Sequence, residues 1–463
     1  PNGKGTPTTA APMKRAEPLN LDDDLLGEVT SGARALVVCP DIRGADYELG
    51  AQERLEEACG LALAIGIEIA HSYVLPVRDV RPNTLFGAGQ VERIGTECEQ
   101  HEIELVIIDG ALSAIQQRNL EDALKRKVID RTGLILEIFG ERAATAEGRL
   151  QVELAHLDYQ SSRLVRSWTH LERQRGGFGF LGGPGETQIE ADRRMIRQRM
   201  ARLRRDIEQV RKTRSLHRDR RERAPWPLVA IVGYTNAGKS TLFNRLTGSD
   251  VMAEDLLFAT LDPTMRAIEL PGMEKVILSD TVGFISDLPT QLVAAFRATL
   301  EEVVAADVIV HVRDMANPAN AAQKQQVLDV LADLGVGVGE GDDGHEPTPV
   351  VEAWNKWDLL DPETREELGQ AAANDPNVVP ISAARGEGID DLRTRIDAIL
   401  TADARCYELA LPATDGKRLA WLHQHGHVLS QAEEEGGLVA RLSVRLTPRE
   451  YGRFRSLSAT DAA

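Results

Sequence analysis

The run Leu228-Val229-Ala230-Ile231-Val232-Gly233-Tyr234-Thr235-Asn236-Ala237-Gly238-Lys239-Ser240-Thr241 restricts the fold of this chain more than any other stretch. Five apolar residues read as a buried strand, they run straight into Gly-x-x-x-x-Gly-Lys-Ser, and Leu242 to Leu246 reads as the helix behind it. Strand, loop and helix in that order make a phosphate-binding loop. Its glycines let backbone N–H groups point at phosphates, Lys239 brings positive charge to the β and γ oxygens, and the Ser240 hydroxyl suits Mg²⁺.

Three later stretches extend the pattern. The apolar strand Val276 to Asp280 opens into Asp280-Thr281-Val282-Gly283, an Asp-x-x-Gly that holds Mg²⁺ through water and senses the γ-phosphate through the Gly283 N–H. Val350 to Trp354 leads into Asn355-Lys356-Trp357-Asp358. A carboxylate at Asp358 accepts from guanine N1–H and the 2-amino group, a donor pair adenine lacks, so GTP is favoured over ATP. Val378 to Ile381 leads to Ser382-Ala383, where a backbone N–H can meet the guanine O6. The order and spacing resemble the motif series of the translation-factor-like GTPases, and the expected reaction is Mg²⁺-dependent GTP hydrolysis.

Between the phosphate loop and Asp280, a switch loop must supply a threonine to Mg²⁺. Thr260 is the first choice and Thr264 the second. Residue 284, after Asp-x-x-Gly, is phenylalanine, whereas Ras-type enzymes use a glutamine there to orient the attacking water. Intrinsic hydrolysis is therefore expected to be slow, with the water positioned by another group or by a partner. Lys239, Gly283 and Asn236 are the candidate catalytic residues. Asn236 sits where related GTPases activated by potassium carry an asparagine, which makes K⁺ a candidate additional cofactor.

A length of 463 residues suggests two to four domains, and 42% hydrophobic with 27% charged residues describes a soluble globular protein. No apolar run reaches the roughly 18 residues that a membrane helix needs, and no signal peptide with its apolar core opens the chain. Cys39, Cys59, Cys98 and Cys406 are scattered, without the spacing of a disulfide framework or zinc site. A cytoplasmic location is expected, with partial membrane association left open. The net charge of −18 argues against nucleic acid, but its distribution argues the other way. Between Arg193 and Arg223 there are 14 Lys and Arg against four acids, so a segment of +10 is attached to a body of −28.

Residues 1–32 read as a disordered tail rich in Pro, Thr, Asp and Gly. In 33–146, strands are expected at Ala35–Cys39, Glu68–Leu75, Leu105–Asp109 and Gly133–Phe139, with helices at Gln52–Ala64, Gln90–Gln100 and Ala114–Leu124, giving a small α/β domain with a largely parallel sheet. Gly87-Ala88-Gly89 reads as a tight strand-to-helix turn rather than a second nucleotide site.

In 147–224, Leu150, Leu154, Leu157, Ser161, Leu164, Trp168 and Leu171 step by four and three, and so do Ile196, Met200, Leu203, Ile207 and Val210. Two heptad seams separated by Gly176 to Gly185, with six glycines in ten residues, predict an antiparallel helical hairpin with a flexible tip. Phe178, Phe180 and Leu181 on that tip, and arginine outnumbering lysine in the second arm, point to a rod that meets phosphates and reaches into a recess. Pro225 and Pro227 make a stiff link to a GTPase domain over 225–402. In 403–463, apolar Tyr407–Leu411 and Leu438–Leu446 around a helix near Leu419–Ala432 predict a small α+β domain. His423 and His427, one turn apart on that helix, have no third metal ligand in view.

Gly-Pro-Gly-Glu-Thr-Gln at 183–188 before an Arg-rich helix, the phosphate loop, Phe258-Ala259-Thr260-Leu261-Asp262-Pro263-Thr264 and Asp280-Thr281-Val282-Gly283-Phe284 together resemble the HflX family of GTPases, from about residue 33 onward. The resemblance implies a ribosome-associated GTPase, expected as a monomer. It would bind the large (50S) subunit and its 23S rRNA through Arg193 to Arg223 and the tip Gly176 to Gly185, and dissociate stalled or idle 70S ribosomes. It also implies GTP contacts from Gly233 to Thr241, Phe258 to Asp262, Asp280 to Gly283, Asn355 to Asp358 and Ser382-Ala383-Ala384, with Mg²⁺ on Ser240 and Thr260. The chain departs from the family at Leu181-Gly182, before Gly-Pro-Gly, and at Ala88 and Gln90 beside Gly87. A large-subunit assembly GTPase and a GTP-latched RNA remodeller remain open alternatives, because both need the same motifs.

Overall fold

The computed structural model describes residues 32–143, 145–174, 193–210, 212, 226–248, 257–258, 264–286, 300, 302–336, 348–434 and 438–457. The chain opens with β1 (Arg34–Ile42), α1 (Ala51–Leu63), β2 (Glu68–Val77), α2 (Ala88–Gln100), β3 (Leu105–Ile108), α3 (Ala114–Leu124) and β4 (Lys127–Asp130). All four strands are parallel, in the order β2-β1-β3-β4. Parallel neighbours require crossover connections, and α1, α2 and α3 supply them, burying Leu36, Val38, Val106 and Ile108 on one face and Ala35, Val37 and Ile107 on the other.

The expected strand at Gly133–Phe139 is instead part of helix α4 (Arg131–Arg142). Its run of Leu134, Ile135, Leu136, Ile138 and Phe139 is buried almost all round, and such a run carries no helical period to distinguish it from a core strand. Asp130 decides the matter locally. Its carboxylate caps the helix by accepting from the Gly133 N–H at 2.8 Å, so the fourth strand ends at Asp130.

Helix α5 (Ala146–Gln174) follows and packs beside a second helix, α6, over 193–210. Leu157, Met200 and Leu203 form the buried seam with Leu150, Leu154 and Ile196 around it, and Arg199 pairs with Glu153. The same Asp130 that caps α4 anchors α5, accepting from Tyr159 Oη at 2.6 Å and Arg163 at 2.7 Å. The tip Gly176 to Gly185 and residues 213–223 of the basic segment lie outside the described residues.

A six-stranded sheet comes next: β5 (Leu228–Gly233), α7 (Lys239–Thr247), β6 (Thr264–Leu270), β7 (Met273–Asp280), β8 (Val308–Asp314), α8 (Asn320–Asp333), β9 (Val350–Asn355), α9 (Pro362–Asn374), β10 (Val378–Pro380) and α10 (Ile389–Leu400). Its order is β10-β9-β8-β5-β7-β6, parallel except for the edge pair β6–β7. Thr264, the second Mg²⁺ choice, begins β6 in register with Asp280.

The last unit is an antiparallel sheet of β11 (Arg405–Pro412), β12 (His427–Glu434) and β13 (Val439–Leu446), with helices α11 (Gly416–His425) and α12 (Pro448–Ser456). The helix expected to reach Ala432 stops at His425, and His427 belongs to a strand. A Cβ on Gly426 would lie 2.5 Å from Val444 Cγ1, so the chain turns against β13 there. His423 accordingly meets Gln431 at 2.9 Å and shares no helix with His427. Helix α12 was not expected, although Thr447, Pro448 and Glu450 spell a capping box with proline at its first turn. Among the described residues no helix is long and apolar enough to cross a membrane.

Candidate functional site

The loop between β5 and α7 is built by two glycines. Gly233 has φ 149°, and a Cβ there would lie 2.3 Å from the Val312 carbonyl oxygen on β8. Gly238 has φ 93°, and its Cβ would lie 2.2 Å from Asn355 Nδ2. Neither position admits a side chain. Asn236 between them also takes a left-handed conformation, at φ 57°.

Asn355, at the end of β9, ties the loop to the next motif. Its Nδ2 donates to the Ala237 carbonyl at 2.8 Å, and its Oδ1 accepts from the Ala383 N–H at 2.9 Å. Ser382 Oγ donates to Asp358 Oδ1 at 2.7 Å, with Arg385 at 3.4 Å from the other carboxylate oxygen. Arg245 of α7 donates to the Ala383 carbonyl at 3.0 Å and also to that of Ala384. The sequence reading passed over Arg245; its one signal was a cation in the last turn of the phosphate-loop helix.

Lys239 is buried, and its ammonium donates to the Tyr234 carbonyl at 2.7 Å. Burial pushes its pKa down to about 8, against the opposing pull of the Asp280 carboxylate. Ser240 Oγ donates to Asp280 Oδ2 at 2.9 Å, so a hydroxyl and a carboxylate already converge as the hard oxygen pair Mg²⁺ takes. Gly283 leaves no room above Lys239: a Cβ there would lie 2.9 Å from Nζ and 2.7 Å from Thr235 Cγ2. Phe284 pairs with the phosphate loop through its backbone, its N–H donating to the Gly233 carbonyl at 3.1 Å and its carbonyl accepting from Thr235 N–H at 2.8 Å. Its ring is buried in the core.

Thus the phosphate loop, Asp280–Gly283, Asn355–Asp358 and Ser382–Ala384 meet at one end of the parallel sheet, past the carboxyl ends of β5, β7 and β9, where open α/β sheets bind ligands. Ala259, Thr260, Leu261 and Asp262 lie outside the described residues. Phe258 is described: it is buried edge-on against Phe139 of α4, with centroids 4.8 Å apart.

Family models match the chain in four consecutive blocks: "GTP-binding GTPase N-terminal" over 52–140, "GTP-binding GTPase Middle Region" over 142–221, "50S ribosome-binding GTPase" over 228–338 and "HflX C-terminal domain" over 367–456. The GTPase HflX of Magnetococcus marinus is 48% identical over 404 residues, which span 87% of this chain and 90% of that protein. The chain belongs to the HflX family of GTPases. The GTPase HflX of Escherichia coli strain K12 is 42% identical over 402 residues, 87% of this chain and 92% of that protein. Among solved structures, the complex of SsGBP with GDP aligns with 80% of this chain and 99% of its own at 25% identity, with a TM-score of 0.47. Like its HflX relatives, the protein is a P-loop GTPase, and its reaction is GTP hydrolysis.

In this HflX protein the phosphate loop is wired to the first sheet, a feature the sequence did not disclose. The Tyr234 phenol, expected among the GTP contacts, is buried instead against Glu57 of α1 and accepts from the Ser286 N–H at 2.7 Å. Arg131, at the start of α4, donates to Asp109 at 2.7 Å, to Glu57, and to the Ser286 carbonyl at 2.8 Å. Burial, then the Glu57 carboxylate, holds the Tyr234 phenol far above its usual range and therefore neutral. For Arg131 burial works against the charge, but Glu57 and Asp109 outweigh it.

The Asp358 carboxylate, held by Ser382 and Arg385, is the group that would distinguish guanine. Asp358→Asn is expected to cost roughly 10- to 100-fold in GTP affinity, because a charge-assisted acceptor contributes about 1.5–3 kcal/mol. ATP affinity should stay where it was. Competition binding of the two nucleotides checks this, and an unchanged preference for GTP would place base recognition elsewhere.

Proposed function

We propose that the protein couples Mg²⁺-dependent GTP hydrolysis to the large ribosomal subunit and uses the cycle to dissociate stalled or idle 70S ribosomes. In this reading Gly233 to Thr241, Phe258 to Asp262, Asp280 to Gly283, Asn355 to Asp358 and Ser382 to Ala384 form the nucleotide site. Water attacks the γ-phosphorus of bound GTP, and Ser240 and Thr260 would hold the Mg²⁺ that neutralises phosphate charge. The chain's own residues bind and orient: Lys239 meets the phosphates, the Gly283 N–H faces the γ position, and Asp358 selects the base. K⁺ at Asn236 is part of the proposal.

The single observation that carries the ribosomal reading is the outer face of α6. While Met200, Leu203 and Ile207 pack inward, Arg194, Arg197, Arg202, Arg204 and Arg205 stand exposed. Five arginines on one side of an otherwise acidic protein suit an RNA backbone. The description "50S ribosome-binding GTPase", carried by the model matched over 228–338, supports the same partner.

The test is light scattering of vacant 70S ribosomes mixed with the protein and GTP. Scattering is expected to fall as subunits separate. Removing Gly176 to Gly185 should abolish the fall while leaving basal GTP turnover intact. A ribosome that stays whole with bound protein would favour the assembly-factor alternative, read next as selective binding to precursor 50S particles.

A further inference from the structure

Away from the nucleotide site, three side chains of the first sheet's edge form a cluster that the GTPase cycle does not use. His71 lies on β2, the strand at the open edge, and Glu97 and His101 lie four residues apart, at and just beyond the end of α2. That spacing puts the two on one helical face. The three ligand atoms all lie within 4.8 Å of one another, and all three residues are partly exposed.

The distances within the cluster are informative. His71 Nε2 and His101 Nε2 lie 3.8 and 3.6 Å from the same oxygen, Glu97 Oε2. Both separations are too long for hydrogen bonds. A tetrahedral ion with bonds of about 2.0–2.2 Å sets its ligands ~3.4 Å apart, so the two His–Glu gaps are within ~0.4 Å of what one ion needs, and the two imidazole nitrogens lie within 4.8 Å of each other. The two imidazoles lie nearly parallel, 21° between planes with centroids 4.9 Å apart, and bring both nitrogens to one side. Arg93 stands 4.0 Å from the other oxygen, Glu97 Oε1, and leaves Oε2 to the histidines. Arg34 donates to the His101 carbonyl at 3.2 Å and fixes the end of the helix from which that ring projects.

We propose that His71, Glu97 and His101 bind a divalent first-row transition ion of the Zn²⁺ type. Two imidazoles and one carboxylate are a Zn²⁺ donor set and a poor one for Mg²⁺ or Ca²⁺, which take oxygen. Partial exposure leaves the fourth position to water or to a ligand from a partner. The ion would pin α2 to the edge strand and stabilise the first unit, by an amount that rises with the logarithm of free ion above its Kd.

The experiment uses the full chain, freed of nucleotide and stripped with a chelator that is then removed. Zn²⁺ is titrated by calorimetry, and Co²⁺ is added to a second sample to read the visible absorption of a low-coordinate site. One equivalent of Zn²⁺ should bind in the micromolar range and raise the melting temperature. His71→Gln, Glu97→Gln and His101→Gln should each weaken binding at least tenfold while leaving GTP affinity unchanged. His423→Gln, in the other histidine-rich region, should bind as the parent does. Binding weaker than about millimolar would leave only a His–Glu cluster with no ion. Parent-like binding by all three variants, or loss of binding in His423→Gln, would overturn the assignment equally.

Discussion

Replacing Lys239 with alanine is expected to weaken GTP binding roughly a hundredfold or more, since the phosphates lose a buried cation and about 3 kcal/mol of charge-assisted hydrogen bonding. The ammonium is buried in the loop between the Tyr234 carbonyl and Gly283. Its depressed pKa adds a signature that a structural defect would not give. In the free protein burial pushes the Lys239 pKa down to about 8, and bound phosphates would raise it. The contribution of the pair is therefore fully present below pH 8 and is lost as pH rises through the higher pKa of the complex. GTP affinity measured from pH 7 to about 8.5, below the deprotonation of guanine N1, should fall for the parent protein and fall less for Lys239→Ala. Equal affinities, or parallel pH profiles, would remove Lys239 from the phosphate site.

The second large effect is expected at Arg131, far from the phosphates in sequence. Arg131→Ala leaves Glu57 and Asp109 facing each other without their shared cation in a buried site, and breaking such a network costs about 3–5 kcal/mol. The midpoint of chemical unfolding should drop accordingly. Because Glu57 also holds the Tyr234 phenol, GTP affinity should fall as well, although Arg131 touches no part of the nucleotide site. Arg131→Lys keeps the charge but loses the fork that reaches three partners, so it should lie between the two. A destabilised Arg131→Ala that binds GTP like the parent would mean that the network holds the units together without influencing the loop.

These two residues also mark what the sequence could and could not disclose. Lys239 was legible because a phosphate loop needs fixed residue types at fixed spacing, and that requirement survives in any fold that carries it. The same holds for Asp280, Asn355 and Asp358, which the structure gathers at one end of the parallel sheet, past the carboxyl ends of β7 and β9. Arg131 was not legible. Its partners are 22, 74 and 155 residues away, and no local pattern announces a salt bridge across that distance. The Tyr234 phenol was hidden for a related reason. Its backbone is in the phosphate loop, but Glu57 of α1 decides where its phenol goes.

At the level of elements, sequence pattern recovered three of the four strands of the first sheet and the heptad helices, but not β4. It failed where burial on every side erased the period, as in α4, and where a glycine ended a helix against a neighbouring strand, as at Gly426. The capping box at Thr447 was readable and was missed.

Coupling between the loop and the first sheet gives the central claim a physical route. α5 is anchored on Asp130, Asp130 adjoins Arg131, and Arg131 reaches Ser286 just after the Asp-x-x-Gly motif. A partner that grips the helical pair could therefore bias the loops around the γ-phosphate. The most direct measurement is GTP turnover by the purified protein with and without isolated 50S subunits, in potassium and in sodium buffer. The account predicts at least a tenfold stimulation by 50S, about 1.4 kcal/mol of barrier, and faster turnover in K⁺ than in Na⁺. Turnover unchanged by 50S, with no binding to the subunit, would contradict it.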